Sequence, residues 1–325
     1  MRQGGLRRVF AVADGVDGID LEFQGRHRAI ASFVLRGEGG RFALIEVGPE
    51  STLGGLERGL QEAGLHLDGL EGVFVTHIHL DHAGAAGALA QKARCPVWVH
   101  EIGAPHLADP ARLWESAGRV FGHDHMQALW GGITPIDREL LRPIGEYARI
   151  EILGHRLEAY HTPGHASHHV VYLLDGETLF TGDAAGVRVP EVPLVRAPAM
   201  PPELHVEQWS RTIDRMEGLR PRRLVLTHFG PYEHDVAWHL GQVRESLRTG
   251  ADRILEQSRR GVAVEAMTEG LLELERERLA TRGVESAAHA AILEHYDVIV
   301  PTPLMVNGYL RYWRKFHPEL AASPS

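Results

Sequence analysis

The run Thr76-His77-Ile78-His79-Leu80-Asp81-His82-Ala83-Gly84 places three histidines and one aspartate within six consecutive positions. It follows Gly72-Val73-Phe74-Val75, whose apolar, β-rich character predicts a buried strand. A neutral imidazole nitrogen and an anionic carboxylate oxygen are the donors that zinc and its first-row neighbours favour. A strand that ends in such donors makes a poor core and a good metal site. The turn puts His77 and His79 on one side and lets Asp81 and His82 reach another, so the run could serve two ions. The chain holds 21 histidines, and some clustering follows from that alone. Further donors, however, lie beside other strand-like runs. Thr162-Pro163-Gly164-His165 precedes the strand-like His169-Val170-Val171-Tyr172-Leu173-Leu174. Leu179-Phe180-Thr181-Gly182-Asp183 ends on an aspartate, and Arg223-Leu224-Val225-Leu226-Thr227-His228 ends on a histidine. Strands that each deliver one donor at a common edge assemble a site from distant sequence.

The order His-x-His-x-Asp-His, Thr-Pro-Gly-His, Thr-Gly-Asp, Thr-His resembles the metallo-β-lactamase superfamily of binuclear hydrolases. The match runs from about Ile45 to His228. The resemblance implies an α/β fold, a four-layer αβ/βα sandwich, with the site at one edge of its two sheets. It implies that His77, His79 and His165 hold one ion, that Asp81, His82 and His228 hold the other, and that Asp183 bridges the two. The cofactors expected are two divalent ions, zinc first, with iron or manganese fitting the same donors. The family usually carries Asp-x-Gly where this chain has Glu46-Val47-Gly48. That carboxylate is not a ligand in the family, so the departure leaves the metal assignment intact.

The chemistry implied is hydrolysis by a metal-bridging hydroxide, because metal binding lowers the pKa of water from about 15.7 to near 7. Asp81 is the candidate catalytic residue, orienting the hydroxide or passing a proton. Tyr160, His161, His168 and His169 flank His165, and at least one is expected to support a ligating imidazole through its second ring nitrogen. The segments around His165 and Asp183 look most like the glyoxalase II and lactonase branches, which points to an ester, thioester or lactone. The Arg-x-x-Lys-Asp pattern that glyoxalase II enzymes use for glutathione is not found here. Two alternatives stay open: a phosphodiesterase or nuclease of the same superfamily, and a non-hydrolytic dioxygenase with a single iron.

A formal net charge of −9 argues against a general nucleic-acid binder. The partner expected is therefore a small acyl substrate, with neither nucleic acid nor membrane. No apolar run approaches membrane-spanning length, and the first residues lack the apolar stretch of a signal peptide, so a cytoplasmic location is expected. The one cysteine, Cys95, excludes an internal disulfide and reads as a small buried apolar residue.

Residues 1–232 read as the catalytic domain and 233–325 as a helical C-terminal extension, expected to pack beside the site or to form a homodimer interface. Ala29–Leu35 and Phe42–Val47 predict a hairpin around Gly37-Glu38-Gly39-Gly40, and Leu53–Ala63 a helix stopped by Gly64. Residues 104–145 read as a helical insertion whose Trp114, Phe121, Met126 and Trp130 either fill a local core or line an apolar pocket. His123 and His125 within it read as surface histidines. Residues 190–202 read as an extended proline-rich loop, with Arg188 and Arg196 able to meet a substrate anion or, more simply, a nearby carboxylate. Trp209, Ile213 and Met216 recur at helical spacing and suggest packing.

Overall fold

In the computed structural model, residues 7–321 are described. They form two compact units whose segments interleave along the chain. The first unit takes the chain up to Thr162, His168–Gly182 and Pro221–His234. The second takes Pro163–Ser167, Asp183–Arg220 and the chain from Asp235 onward.

The first unit holds two sheets. The larger runs in chain order through β1 (Val9–Ala13), β2 (Val16–Asp20), β3 (Ala31–Arg36), β4 (Phe42–Ile45), β5 (Leu70–Phe74), β6 (Val97–His100) and β7 (Leu141–Ile144). Its first four strands pair antiparallel, and β4 through β7 pair parallel. Parallel neighbours need crossovers, and here they are helical. Helix α1 (Leu53–Glu62) joins β4 to β5; α2 (Leu80–Ala83) and α3 (Ala86–Ala93) join β5 to β6. Leu56 and Leu60 give α1 its buried face. The expected hairpin forms as β3 and β4.

The stretch 104–145 begins as expected with helices α4 (Ala104–Ala108), α5 (Ala111–Phe121) and α6 (Met126–Trp130). It ends as β7, in register with β6 from Val97↔Leu141 to His100↔Ile144. The apolar ends of Leu141-Arg142-Pro143-Ile144 are buried and the middle pair is exposed, so four residues suffice for an edge strand.

The second sheet contains β8 (Tyr147–Ile152), β9 (His155–His161), β10 (Val170–Leu174) and β11 (Thr178–Phe180). Two short strands, β12 (Val187–Arg188) and β13 (Val195–Arg196), pair antiparallel as a separate ribbon in the second unit, so that β13 interrupts the extended loop expected over residues 190–202. The second sheet is completed by β14 (Arg223–Leu226) and β15 (Gly230–Tyr232), in the order β15-β14-β11-β10-β9-β8.

The two sheets bury one apolar core between them. Phe33 and Phe180 meet across it with ring centroids 5.5 Å apart, and Phe74 stacks on Trp98 at 4.4 Å. Tyr172 on β10 turns edge-on to Phe74 and donates its hydroxyl to the Val75 carbonyl at 2.9 Å. This polar tie anchors the end of β5, where the histidine run begins. Cys95 is buried in this unit, and burial pushes its thiol up to about 11.

The second unit is mainly helical. It contains α7 (Val206–Gly218), α8 (Val236–Arg259), α9 (Val264–Thr281), α10 (Ser286–Ile299) and α11 (Thr302–Phe316). Trp209, Ile213 and Met216 are fully buried on α7, which is the packing role their spacing predicts. Among the described residues no helix is long and apolar enough to cross a membrane.

Candidate metal centre

The first unit places five of the seven expected ligands. The chain leaves β5, turns through Thr76 to His79, and winds into α2, so that local geometry alone brings the four donors of the run close together. Gly84 closes this turn because a Cβ there would sit 2.4 Å from the Leu80 carbonyl oxygen and 2.9 Å from the Pro49 Cα. The Thr76 carbonyl accepts from the Val170 amide at 2.8 Å, tying the turn to β10.

Hydrogen bonds on one ring nitrogen fix which nitrogen of each imidazole is the donor. His228 Nδ1 lies 2.8 Å from the Ala29 carbonyl, and His82 Nδ1 lies against the Glu46 carboxylate. Carbonyl and carboxylate oxygens only accept, so both Nδ1 atoms carry the proton and both Nε2 atoms present lone pairs. Those two Nε2 atoms face each other at 3.3 Å, and Asp81 Oδ2 stands 3.7 Å from one and 3.5 Å from the other. One donor atom from each of Asp81, His82 and His228 lies within 4.8 Å of the other two. Lone pairs and an anionic oxygen converging on one point repel each other unless a cation lies among them, so the donor set fits a divalent ion. His77 follows the same logic. Its Nδ1 is 3.0 Å from Thr76 Oγ1, whose proton is directed to Glu46, and its Nε2 lies 3.0 Å from His79 Nδ1.

The second unit places the other two. His165 Nδ1 donates to the Pro198 carbonyl at 2.9 Å, which leaves its Nε2 lone pair facing Asp183 Oδ2 at 3.1 Å. Both side chains are almost wholly buried. Trp209 Nε1 donates to the Ala184 carbonyl and His239 Nε2 lies by the Ala185 carbonyl, each at 2.8 Å, so the backbone just after Asp183 is held on both sides.

The family model of the metallo-β-lactamase superfamily matches residues 25–228, well over half of the chain. The chain belongs to the metallo-β-lactamase superfamily. It is similar to a metallo-β-lactamase fold-containing protein of Sulfurisphaera tokodaii, 30% identical over 168 residues, 50% of this chain and 62% of that protein, under two thirds of its length. A probable metallo-hydrolase of Bacillus subtilis is 26% identical over 247 residues, covering 67% of this chain and 85% of the relative. A hydroxyacylglutathione hydrolase of Marinomonas is 26% identical over 121 residues, 35% of this chain and 34% of the relative. Among solved structures, a metallo-β-lactamase family protein from Thermus thermophilus superposes with a TM-score of 0.61 at 22% identity, over 88% of each chain. That likeness carries the fold, the superfamily's αβ/βα sandwich with a helical C-terminal region.

Within this member of the superfamily, Glu46 has a part that sequence reasoning missed. Its buried carboxylate accepts from the Thr76 amide at 2.7 Å, from Thr76 Oγ1 at 3.2 Å and from Thr227 Oγ1 at 3.0 Å, besides holding His82. It therefore joins the ends of β4, β5 and β14 beneath the first unit's donors. The available signal was a carboxylate at the end of the apolar run Phe42–Ile45 and two residues before a glycine, where the superfamily carries aspartate. The second nitrogens of His77, His82, His165 and His228 go to Thr76, Glu46, Pro198 and Ala29, not to the residues flanking His165. His168 and His169 lie beside His77 as ring neighbours. Their rings lie 6.1 and 5.0 Å from that of His77, and His169 Nδ1 pairs with Thr162 Oγ1 at 2.9 Å. His161 stacks on His100 at 4.1 Å, and Tyr160 packs against Tyr147 with the rings tilted and 5.2 Å apart.

Arg196 takes the carboxylate role and not the substrate one. It is fully buried; Nε donates to Glu275 Oε1 at 2.9 Å, Nη2 to Glu275 Oε2, and Nη1 to Asp297 at 2.6 Å. Burial opposes its charge, but the two carboxylates outweigh that and hold its pKa above the usual arginine value. Trp130 likewise fills a local core. It is 6% exposed, stacked on Phe23 at 5.6 Å and edge-on to Phe121 at 5.0 Å.

Proposed function

We propose that the protein is a binuclear metallohydrolase acting on a small carboxylic ester, thioester or lactone. His77, His79 and His165 would hold one ion and Asp81, His82 and His228 the other, with Asp183 available as a ligand to both. When bound there, divalent ions of the zinc type would supply a hydroxide at neutral pH and would polarise a substrate carbonyl. The observation that carries the reading is the set of imidazole tautomers. Four expected ligands, His77, His82, His165 and His228, each bind a second atom through Nδ1 and keep Nε2 for coordination.

Asp81 is the carboxylate with most access to solvent, its side chain 21% exposed while those of His82 and His228 are sealed. It can hold water at the site and take a proton from it, the role assigned to it here. An acyl substrate is favoured over a polynucleotide by the net charge of −9, since a phosphate backbone calls for a basic surface. The partial similarity to a hydroxyacylglutathione hydrolase supports a thioester or a related acyl bond.

The test is elemental analysis of gently purified protein, followed by assay of the metal-defined enzyme on p-nitrophenyl esters, lactones, thioesters and bis-p-nitrophenyl phosphate. Two first-row metals per chain and faster turnover of the acyl compounds are expected. Asp183→Ala should lose metal and nearly all hydrolysis. Cleavage of the phosphodiester alone would move the assignment to the nuclease branch. One tightly bound iron with oxygen uptake would replace it with the dioxygenase chemistry.

A further inference from the structure

The segment that orients His165 is itself fastened by the C-terminal helices. The Pro198 carbonyl accepts from His165 Nδ1 at 2.9 Å and also from the Met200 amide at 2.8 Å. On one side of Pro198, the Ala197 amide donates to Ser246 Oγ on α8 at 3.0 Å. On the other, Ala199 lies directly on α11. A Cβ on Gly308 would come 1.9 Å from the Ala199 carbonyl oxygen and 3.1 Å from the Met200 carbonyl carbon. Two residues further, Arg311 Nε donates to the Pro202 carbonyl at 3.0 Å. The depth at which α11 sits is set by a second small residue. A Cβ on Gly250 of α8 would lie 2.6 Å from the Tyr309 hydroxyl oxygen.

We propose that Gly308 and Arg311 are positioning residues for His165: α11 sets the Ala197–Pro202 backbone, and through the Pro198 carbonyl it sets the tautomer and direction of the His165 imidazole. This rests on the reading of His165 as a metal ligand. Gly308 is needed because the contact is backbone against helix, and the carbonyl of Ala199 cannot move away without carrying Pro198 with it. The bond from Arg311 has a different character. It lies at the surface, so its loss removes a tether without opening a core.

The expected consequence is on metal affinity, because removing what orients a ligating imidazole typically weakens binding by about 10–100-fold. The experiment uses the full chain and zinc alone, titrated against a chromophoric chelator, on wild type, Gly308→Ala, Arg311→Ala, Arg311→Lys and the exposed control Arg314→Ala. Thermal midpoints are measured alongside. Gly308→Ala should weaken one of two zinc sites about tenfold. Arg311→Ala should weaken the same site by a smaller factor, and Arg311→Lys should recover part of that loss. Arg314→Ala should match wild type at both sites. If Gly308→Ala and Arg311→Ala lower the thermal midpoint while the folded proteins keep wild-type affinity for both ions, the helix is only structural and the proposal falls. A wild-type chain that takes up no divalent ion overturns the metal reading and this proposal with it.

Discussion

The carboxylate of Glu46 lies against Nδ1 of His82, 36 residues away in sequence, and both side chains are closed to solvent. The carboxylate accepts, the imidazole donates, and the other nitrogen of His82 is thereby committed to face His228 and Asp81. Replacing Glu46 by Gln keeps the shape but turns one acceptor into a donor. Glu46→Gln is expected to fold and to bind divalent metal about 10–100-fold more weakly. Competition with a chelator measures this, and unchanged affinity would show that the tautomer is held by other means.

Trp130 was a candidate pocket residue by sequence, and its packing between Phe23 and Phe121 assigns it to stability. Truncation of a buried tryptophan leaves a cavity as well as lost apolar burial. Trp130→Ala should destabilise the protein by about 3–5 kcal/mol in denaturant unfolding. The KM of the fraction that remains folded should stay within about twofold of wild type, since no transition-state or ground-state contact is lost. A large rise in KM without loss of stability would return Trp130 to the substrate site.

Arg196 offers a contrast between charge and function. Glu275 is buried and depends on this guanidinium. Arg196→Ala should cost about 3–5 kcal/mol, because it leaves a carboxylate buried without its partner. Arg196→Ala combined with Glu275→Ala should be less harmful than the first change alone, which a double-mutant cycle would read directly. Acidic and neutral acyl substrates should lose activity equally in Arg196→Ala, by loss of folded enzyme only.

His239 gives the fold a pH dependence of defined sign. Burial in the second unit lowers its pKa to about 4, against 6.5 for the unfolded chain, although the Ala185 carbonyl works in the opposite direction. Between those values the unfolded chain carries the extra proton. The stability tied to neutral His239 is thus complete above pH 6.5 and is lost as pH falls toward 4. A shift of this size corresponds to about 3 kcal/mol. His239→Gln, which can still donate to Ala185, should flatten the stability curve across this window; an unchanged acid limb would assign the loss to other groups.

The residue order by itself determined the local parts of this protein. His77, His79, Asp81 and His82 stand within six positions, and one tight turn between β5 and α2 is enough to gather them. Helix α1 and the buried face of α7 are legible for the same reason, since apolar spacing along a short stretch decides which side faces inward. The superfamily assignment also rests on local motifs in a fixed order. Tertiary structure alone decided where buried polar groups find their partners. Glu46 meets Thr227 across 181 residues, His228 meets Ala29 across 199, and Arg196 meets Glu275 across 79. Nothing in periodicity or composition marks such pairs, because a buried donor or acceptor accepts any complementary atom that the returning chain delivers. The same applies to β7, whose four residues become a strand only because β6 presents a matching edge. Side-chain type says what chemistry a position can do, and the fold's long-range closure says which neighbour turns that chemistry toward a site or toward the core.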